Sequence, residues 1–499
     1  MKKMIVLAFA ILSLASCKKF LAEQTQSDVV PKTTKDFGEI LFTNGYPDRF
    51  TLLQPYIRMM DDDIQSYVGP FASGDEVTTT GNAPAFQWQP DFIDLCARAG
   101  GALKEKYNSW AIYYKLILGT NVALTYLDKS VGSEVEKATY KGEAYTLRAF
   151  YYFMLVNLYA APYNDSTTTP EKSPGVPLKL DAGLTDQLPV RKSVKEVYQQ
   201  ITTDLDSAIY YLGATKADQK LYRISHVAVH LLASRVYLYM EQWDKSIEHA
   251  DYVISYHPQL MELNGWGDPD ARRKPIVGNG NVETIWYYGS MLESFPSGVA
   301  FAYGMSTDLG SKFEPNDLRS NVFYSIVPDN LRPYTAFPYS VVKLNMDQGN
   351  DANVNMGNSW RSAEAYLNRA EAYVQLYKTK GDANAAQEAL NNLNTLRAKR
   401  FAPAQFVPWT LKPADQLLQM CRDERRRELF MEGTHRWMDL RRYGMPSIKH
   451  YYQPSKEVTQ VFTLQKRDPQ YVLPIPNDVL LRNPQITQNP QIGNLRQPD

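Results

Sequence analysis

Seven arginines and five acidic residues crowd into residues 422–444, RDERRRELFMEGTHRWMDLRRYG. Opposed charges at this density suit three chemistries: binding of phosphate or nucleic acid, acid–base catalysis by carboxylates, or an ion-pair network internal to the fold. Helical stepping separates them. Leu417, Leu418 and Cys421 start an apolar seam, and continuing by threes and fours leads to Glu424, Glu428 and Glu432, so carboxylates extend the face that turns toward the core. Buried carboxylates need cationic partners. Arg425, Arg426, Arg427 and Arg436 are within helical reach, and Arg369 and Arg397 on other predicted hairpins are further candidates. The planar fork of arginine suits several simultaneous bonds better than lysine does, and the stretch holds no lysine. Interleaved acids would repel phosphate. The expectation is a structural ion-pair network built from Glu424, Arg425, Arg427, Glu428, Glu432 and Arg436.

Other reactive pairings are thinner. His435 and Asp439 stand four apart, yet two ligands make no metal site. The Asp61-Asp62-Asp63 run and Asp268-Pro269-Asp270 resemble pieces of a calcium loop without its full spacing, so no metal is expected and calcium is kept as an alternative. The chain has no G-x-x-x-x-G-K-[ST], no H-E-x-x-H, no G-x-S-x-G and no strand-turn-helix with G-x-G-x-x-G. Nothing selects the Asp/Glu pair, about 5 to 9.5 Å apart, that a glycosidase requires. We therefore expect no catalytic residue and no cofactor. What remains is aromatic residues in stretches without helical period: Trp88, Trp266, Tyr303, Tyr339 and Trp360. A flat ring beside amides and carboxylates suits a sugar, whose C–H face stacks on the ring while its hydroxyls bond at the edges. These five are the expected ligand-binding residues; the alternative for each is that it fills a gap beneath a loop. Trp286 reads as core, and Trp243 and Trp437 as helical packing.

Lys plus Arg equals Asp plus Glu at 54 each, which leaves no one-signed field to gather nucleic acid. The N-terminus points to a compartment. Lys2 and Lys3 precede an apolar run from Ile5 to Leu14, ten residues and too short to span about 30 Å of hydrocarbon, ending in Leu14-Ala15-Ser16-Cys17. That ending resembles the bacterial lipobox, which implies that residues 1–16 are removed and Cys17 is lipidated. Attachment to the membrane is then through lipid alone. Cys96 and Cys421 remain, too far apart in sequence to suggest a disulfide framework, and read as core thiols.

The elements that must position these residues read as mostly helical. Residues 17–50 look like an extended tether, and 51–499 like one domain. Helical hairpins are expected near 109–160, 193–256, 361–400 and 414–443, with Ser193 and Ser225 as N-caps. The run AVHLLASRVYLYMEQWDKSIEHA has a tetratricopeptide texture, small residues where helices cross and a helix-turn-helix of about 34 residues. Two irregular inserts, 68–108 and 260–358, interrupt the hairpins, and long irregular segments in compact domains are usually functional.

Six blocks together carry a family resemblance: CKKFL at the expected mature N-terminus, GVPLKL, RKSVKEVYQQITTDLDSAI, AEAYLNRAEAY, the arginine-rich stretch and the closing YVLPIPNDVLLRNPQITQNP. In this order they resemble the SusD/RagB family of outer-membrane nutrient-binding lipoproteins. The resemblance implies a right-handed scaffold of about four tetratricopeptide-like hairpins with ligand-bearing loops. It implies a non-catalytic protein, lipid-anchored at the outer membrane and facing the cell surface. Such a protein captures an oligosaccharide, or peptides in the RagB branch, and acts as the lid of a SusC-like TonB-dependent transporter. One departure is that Lys18 and Lys19 follow Cys17 where many surface-exported relatives carry acidic residues. The family's ligand loops vary too much for residue roles to carry over.

Overall fold

The computed structural model describes residues 31–66, 73–98, 108–217, 220–265, 276–277, 280–290, 303–326, 339–341, 343, 357–455 and 458–499. Cys17 and the expected leader, residues 1–16, lie outside them. Helices come first as α1 (Thr34–Asn44), α2 (Ser73–Phe86) and α3 (Phe92–Arg98). A longer series follows: α4 (Ser109–Tyr126), α5 (Glu134–Tyr159), α6 (Val194–Thr215), α7 (His226–Tyr239) and α8 (Trp243–Tyr256). After two single turns, α9 (Thr307–Gly310) and α10 (Arg319–Val322), the series resumes. It continues with α11 (Ser362–Lys380), α12 (Ala383–Ala398), α13 (Ala414–Leu429) and α14 (His435–Arg442), and the short α15 (Asn477–Arg482) comes last. From α4 to α8 each helix packs on the next, α8 then packs on α11, and α11 contacts both α12 and α13. This stacking of each helix on its neighbour is the tetratricopeptide-like arrangement that the small-residue texture predicts.

Local chemistry explains where the helices begin. Ser193 and Ser133 form capping boxes with Glu196 and Glu136, and the Ser225 hydroxyl accepts the Ala228 N–H at 3.2 Å. Between α7 and α8, Ser234 and Ser246 each donate a hydroxyl to the other's backbone carbonyl at 2.9 Å, so two small polar residues fit a close helix crossing. Two cores result. Phe150 on α5 meets Trp286, Tyr288 and Trp360 edge-on at 5.9, 5.6 and 5.2 Å. A second, aliphatic core of Leu367, Leu390, Leu393, Leu417, Leu418 and Cys421 joins α11, α12 and α13. Cys96 and Cys421 are buried and unpaired, and burial pushes both thiols up, Cys96 to about 12.

Two expectations about elements need correction. The stretch 17–50 is not all extended: α1 forms because Thr33 and Asp36 make a capping box and Phe37 and Leu41, four apart, face the core. The insert at 68–108 carries α2 and α3 instead of irregular chain throughout. The insert at 260–358 contributes short strands among its described residues: β2 (Thr284–Tyr288), β3 (Tyr303–Met305), β4 (Tyr324–Ile326) and β5 (Tyr339–Val341). β1 (Ile64–Ser66) pairs antiparallel with β3, β2 pairs with β6 (Asn358–Arg361), and β4 pairs with β5. The hairpin of β7 (Ile448–Ser455) and β8 (Val458–Leu464), with Ile448 opposite Leu464, was not anticipated.

Candidate functional site

The arginine-rich stretch supplies the frame of the site. Glu428 on α13 accepts four bonds: two from Arg400, both at 2.9 Å, and one each from Arg361 and Arg319 at 3.1 Å. Glu424, one turn earlier, accepts from Arg319 at 2.8 Å and Arg427 at 2.6 Å, and Glu432 accepts from Arg361 at 2.5 Å. Lys343 makes an ion pair with Glu432 at 2.6 Å. Arg425 donates to Asp439 at 2.8 Å and Asn368 at 2.7 Å. All of these side chains are buried. Burial by itself would raise the carboxyls of Glu424 and Asp439, but the guanidiniums beside them prevail and hold each at about 2.

The partners differ from those expected. Arg369 bonds Asp251 and Asn392, and Arg397 bonds Glu314. Their places are taken by Arg319 from α10, Arg361 from β6 and Arg400 beyond α12. Helix geometry accounts for this: neighbours one or two positions apart point away from each other, so of the three consecutive arginines only Arg427, three after Glu424, returns to its carboxylate. Arg425 and Arg426 face other partners.

Arg426 leads to the surface. It donates to the Asp63 carboxylate at 2.7 Å, the Asp308 carboxylate at 2.6 Å and the Asp62 carbonyl at 2.9 Å, while Arg436 donates to both carboxylate oxygens of Asp62 at 2.6 and 2.7 Å. Burial opposes ionisation of Asp62, and the two arginines overcome it, holding this carboxyl well below the usual range. Above these pairs opens a cleft of about 370 Å³ whose lining includes Asp62, Gln65, Ser306, Asp308, Lys449 and Tyr451. Three distant pieces of chain meet there. Ser306 donates its N–H to Asp63 O and its hydroxyl to Asp62 O, each at 2.8 Å, tying the start of α9 to the segment before β1. The Gln453 N–H donates to the Ser66 hydroxyl at 3.2 Å and holds β7 alongside. Along β7, Ile448, His450 and Tyr452 point inward while Lys449 and Tyr451 point out.

The predicted ring residues distribute unevenly around this cleft. Trp88 is fully buried beneath it, stacked on His450 at 4.0 Å and donating its indole N–H to Met60 O at 2.8 Å. Tyr303 is buried too, against Phe86 at 5.0 Å. Trp360 lies in the central core, 4.7 Å from Trp286, with the Arg235 guanidinium 4.9 Å above its ring. None of these three offers a free face to a sugar, so for them the gap-filling alternative holds. Trp266 lies outside the described residues, and of Tyr339 only the strand position opposite Ile326 is described. Trp360→Ala is expected to cost about 3–5 kcal/mol of stability by leaving an unfilled cavity, read from the midpoint of urea unfolding. A stable variant that loses ligand instead would restore Trp360 to the site.

Among the described residues, the ring that faces the cleft is Tyr451, 45% exposed. The sequence Ile-Lys-His-Tyr-Tyr from 448 to 452 has no clean apolar–polar alternation that would single it out; the alternation is in burial. Among residues considered as ligands for calcium, Asp62 and Asp63 are engaged by arginines and Asp61 accepts the Asp63 N–H at 3.0 Å, whereas Asp268 and Asp270 lie outside the described residues. Among the described residues no group of three or more His, Cys, Asp or Glu side chains is arranged to hold a metal ion.

Comparison with known proteins places this architecture. A family model described as starch-binding and associating with the outer membrane matches residues 86–238, and the SusD family model matches residues 281–491. The chain belongs to the SusD/RagB family. SusD-like protein P2 of Formosa agariphila is 24% identical over 424 residues, covering 76% of this chain and 79% of that one. A SusD superfamily protein of Bacteroides vulgatus superposes with a TM-score of 0.70 at 20% identity, covering 93% of this chain and all of the other. A laminarin-binding SusD-like protein superposes at 0.62 with 18% identity, covering 92% and 99%. These likenesses establish the mostly helical SusD fold from α4 to α14. No helix among the described residues is long and apolar enough to cross a membrane.

Proposed function

We propose that the protein is a non-catalytic lipoprotein of the outer membrane, anchored at Cys17 and facing outward, that captures a glycan and passes it to a SusC-like TonB-dependent transporter. The observation that carries this reading is the cleft above Arg426: an exposed tyrosine face beside an amide, an ammonium and carboxylates that are held by Arg426 and Arg436. Such a surface can stack a pyranose ring and bond its hydroxyls. Family membership supports the choice of a sugar, and the laminarin-binding neighbour is one relative with such a ligand. Arg426 and Arg436 hold the Asp62 carboxyl ionised, which suits accepting hydroxyl hydrogens and not the donation of a proton to a glycosidic oxygen. Incubating the protein with plant, host and microbial glycans tests the reading: a bound glycan is recovered uncut. Release of shorter sugars would contradict it, and retention of peptides alone would favour the RagB-like importer.

A further inference from the structure

Lys449 and Tyr451 are two residues apart on β7, so both side chains leave the same face of the strand and line one side of the cleft. The charges around them are unequally satisfied. Across the cleft, Asp62 receives two bonds from Arg436 and an ion pair with Arg426 at 3.4 Å, and Asp308 receives a bond from Arg426. Asp62 thus has two guanidiniums behind it, while Asp308 shares Arg426 with Asp62 and Asp63. Lys449 is exposed and, among the described residues, makes no ion pair. Among the described residues, then, an unpaired ammonium stands next to an exposed aromatic face.

From this juxtaposition we propose that the cleft selects an acidic glycan, in which the pyranose lies on Tyr451 and its carboxylate meets Lys449. This inference rests on the capture reading and narrows it to a substrate class, uronate-containing oligosaccharides. Neutral sugars gain the stacking and the hydroxyl bonds but not the charge contact. Because Lys449 is exposed, the preference is screened by salt, with a Debye length of about 10 Å at 0.1 M, and an exposed ion pair is worth at most about fivefold in affinity.

The test is calorimetry of the full chain with three probes: oligogalacturonates, the same oligosaccharides after reduction of their carboxyl groups, and laminarin. The proposal predicts tighter binding of oligogalacturonates than of the reduced form, by about fivefold at low salt. High salt or Lys449→Gln removes the difference, and Lys449→Arg largely retains it. Equal binding of the acidic and reduced forms, or unchanged affinity in Lys449→Gln, overturns the acidic preference and leaves glycan capture standing. Failure of all three probes to bind overturns the capture reading and this inference with it.

Discussion

Glu428→Ala is expected to lower the stability of the protein by about 3–5 kcal/mol, the cost of removing one partner from a buried ion pair. Glu428 has no exposed surface and, among the described residues, is the one acid shared by Arg319, Arg361 and Arg400. Each arginine keeps another carboxylate when Glu428 is lost: Asp317 and Glu424 for Arg319, Glu283 and Glu432 for Arg361, and Glu283 for Arg400. Three guanidiniums would nonetheless share a buried space with one negative charge fewer, and several of their N–H groups would face a cavity. Equilibrium urea unfolding measures the loss. The Lys378–Asp415 pair, both partners well exposed, provides the contrast: Asp415→Ala should change stability by less than about 1 kcal/mol. A loss below about 1 kcal/mol for Glu428→Ala would mean that the network is dispensable.

Stability should also fall in acid, in two stages. Burial lowers His435 to about 4 from its ordinary 6.5, with the nearby Glu364 carboxylate only partly opposing it. The folded state therefore keeps this ring neutral while the unfolded chain takes up a proton below 6.5. Stability held above pH 6.5 is lost progressively down to about 4, by about 3 kcal/mol for a shift of this size. His230, lowered to about 3 by burial and the adjacent His249, acts in the same direction. The second stage involves Glu364, Glu424 and Asp439, each held at about 2 by arginines against the opposing effect of burial. Their contribution is present above the ordinary carboxylate range and disappears as pH falls from about 4.5 toward 2, on the order of 2–3 kcal/mol each. Asp61 works in the opposite sense, because burial and its acidic neighbours raise it. Thermal melts at pH 7, 5.5, 4 and 3 follow both stages, and His435→Gln should flatten the first. A midpoint unchanged between pH 7 and 4 would contradict the burial of neutral histidines.

The same residues explain what the sequence revealed and what it hid. The helix α13 ends at Leu429, and Glu432 turns inward from the turn beyond it. The seam from Leu417 to Glu428 is a local helical pattern, so Glu424 and Glu428 were recognisable as inward-facing from spacing alone. Their partners were not. Arg319, Arg361 and Arg400 come from three separate elements, and only the folded topology brings them to α13. The hairpins from α4 to α14 were legible because helix contacts between neighbours in sequence leave a period of about 3.6 residues. α1 was hidden within a polar stretch, although Thr33 and Asp36 carry its capping signature. Ring residues were the weakest guide. Trp88, Tyr303 and Trp360 occupy segments without helical period, yet a large aromatic in such a segment serves equally well as the wedge that packs it down. Tyr451 escaped notice because the chain around it was not recognised as a strand, and only strand alternation separates its outward ring from the inward His450 and Tyr452.

The central claim is that the cleft between Asp62, Asp308 and Tyr451 captures a glycan. Affinity electrophoresis of the protein and its Tyr451→Ala variant across a glycan panel tests it most directly. The account predicts that a glycan retards the protein without being cleaved, and that the variant, folded like the parent, binds it about tenfold more weakly, as loss of one stacked ring implies. A glycan held equally by both proteins would place capture elsewhere on the molecule and contradict the account.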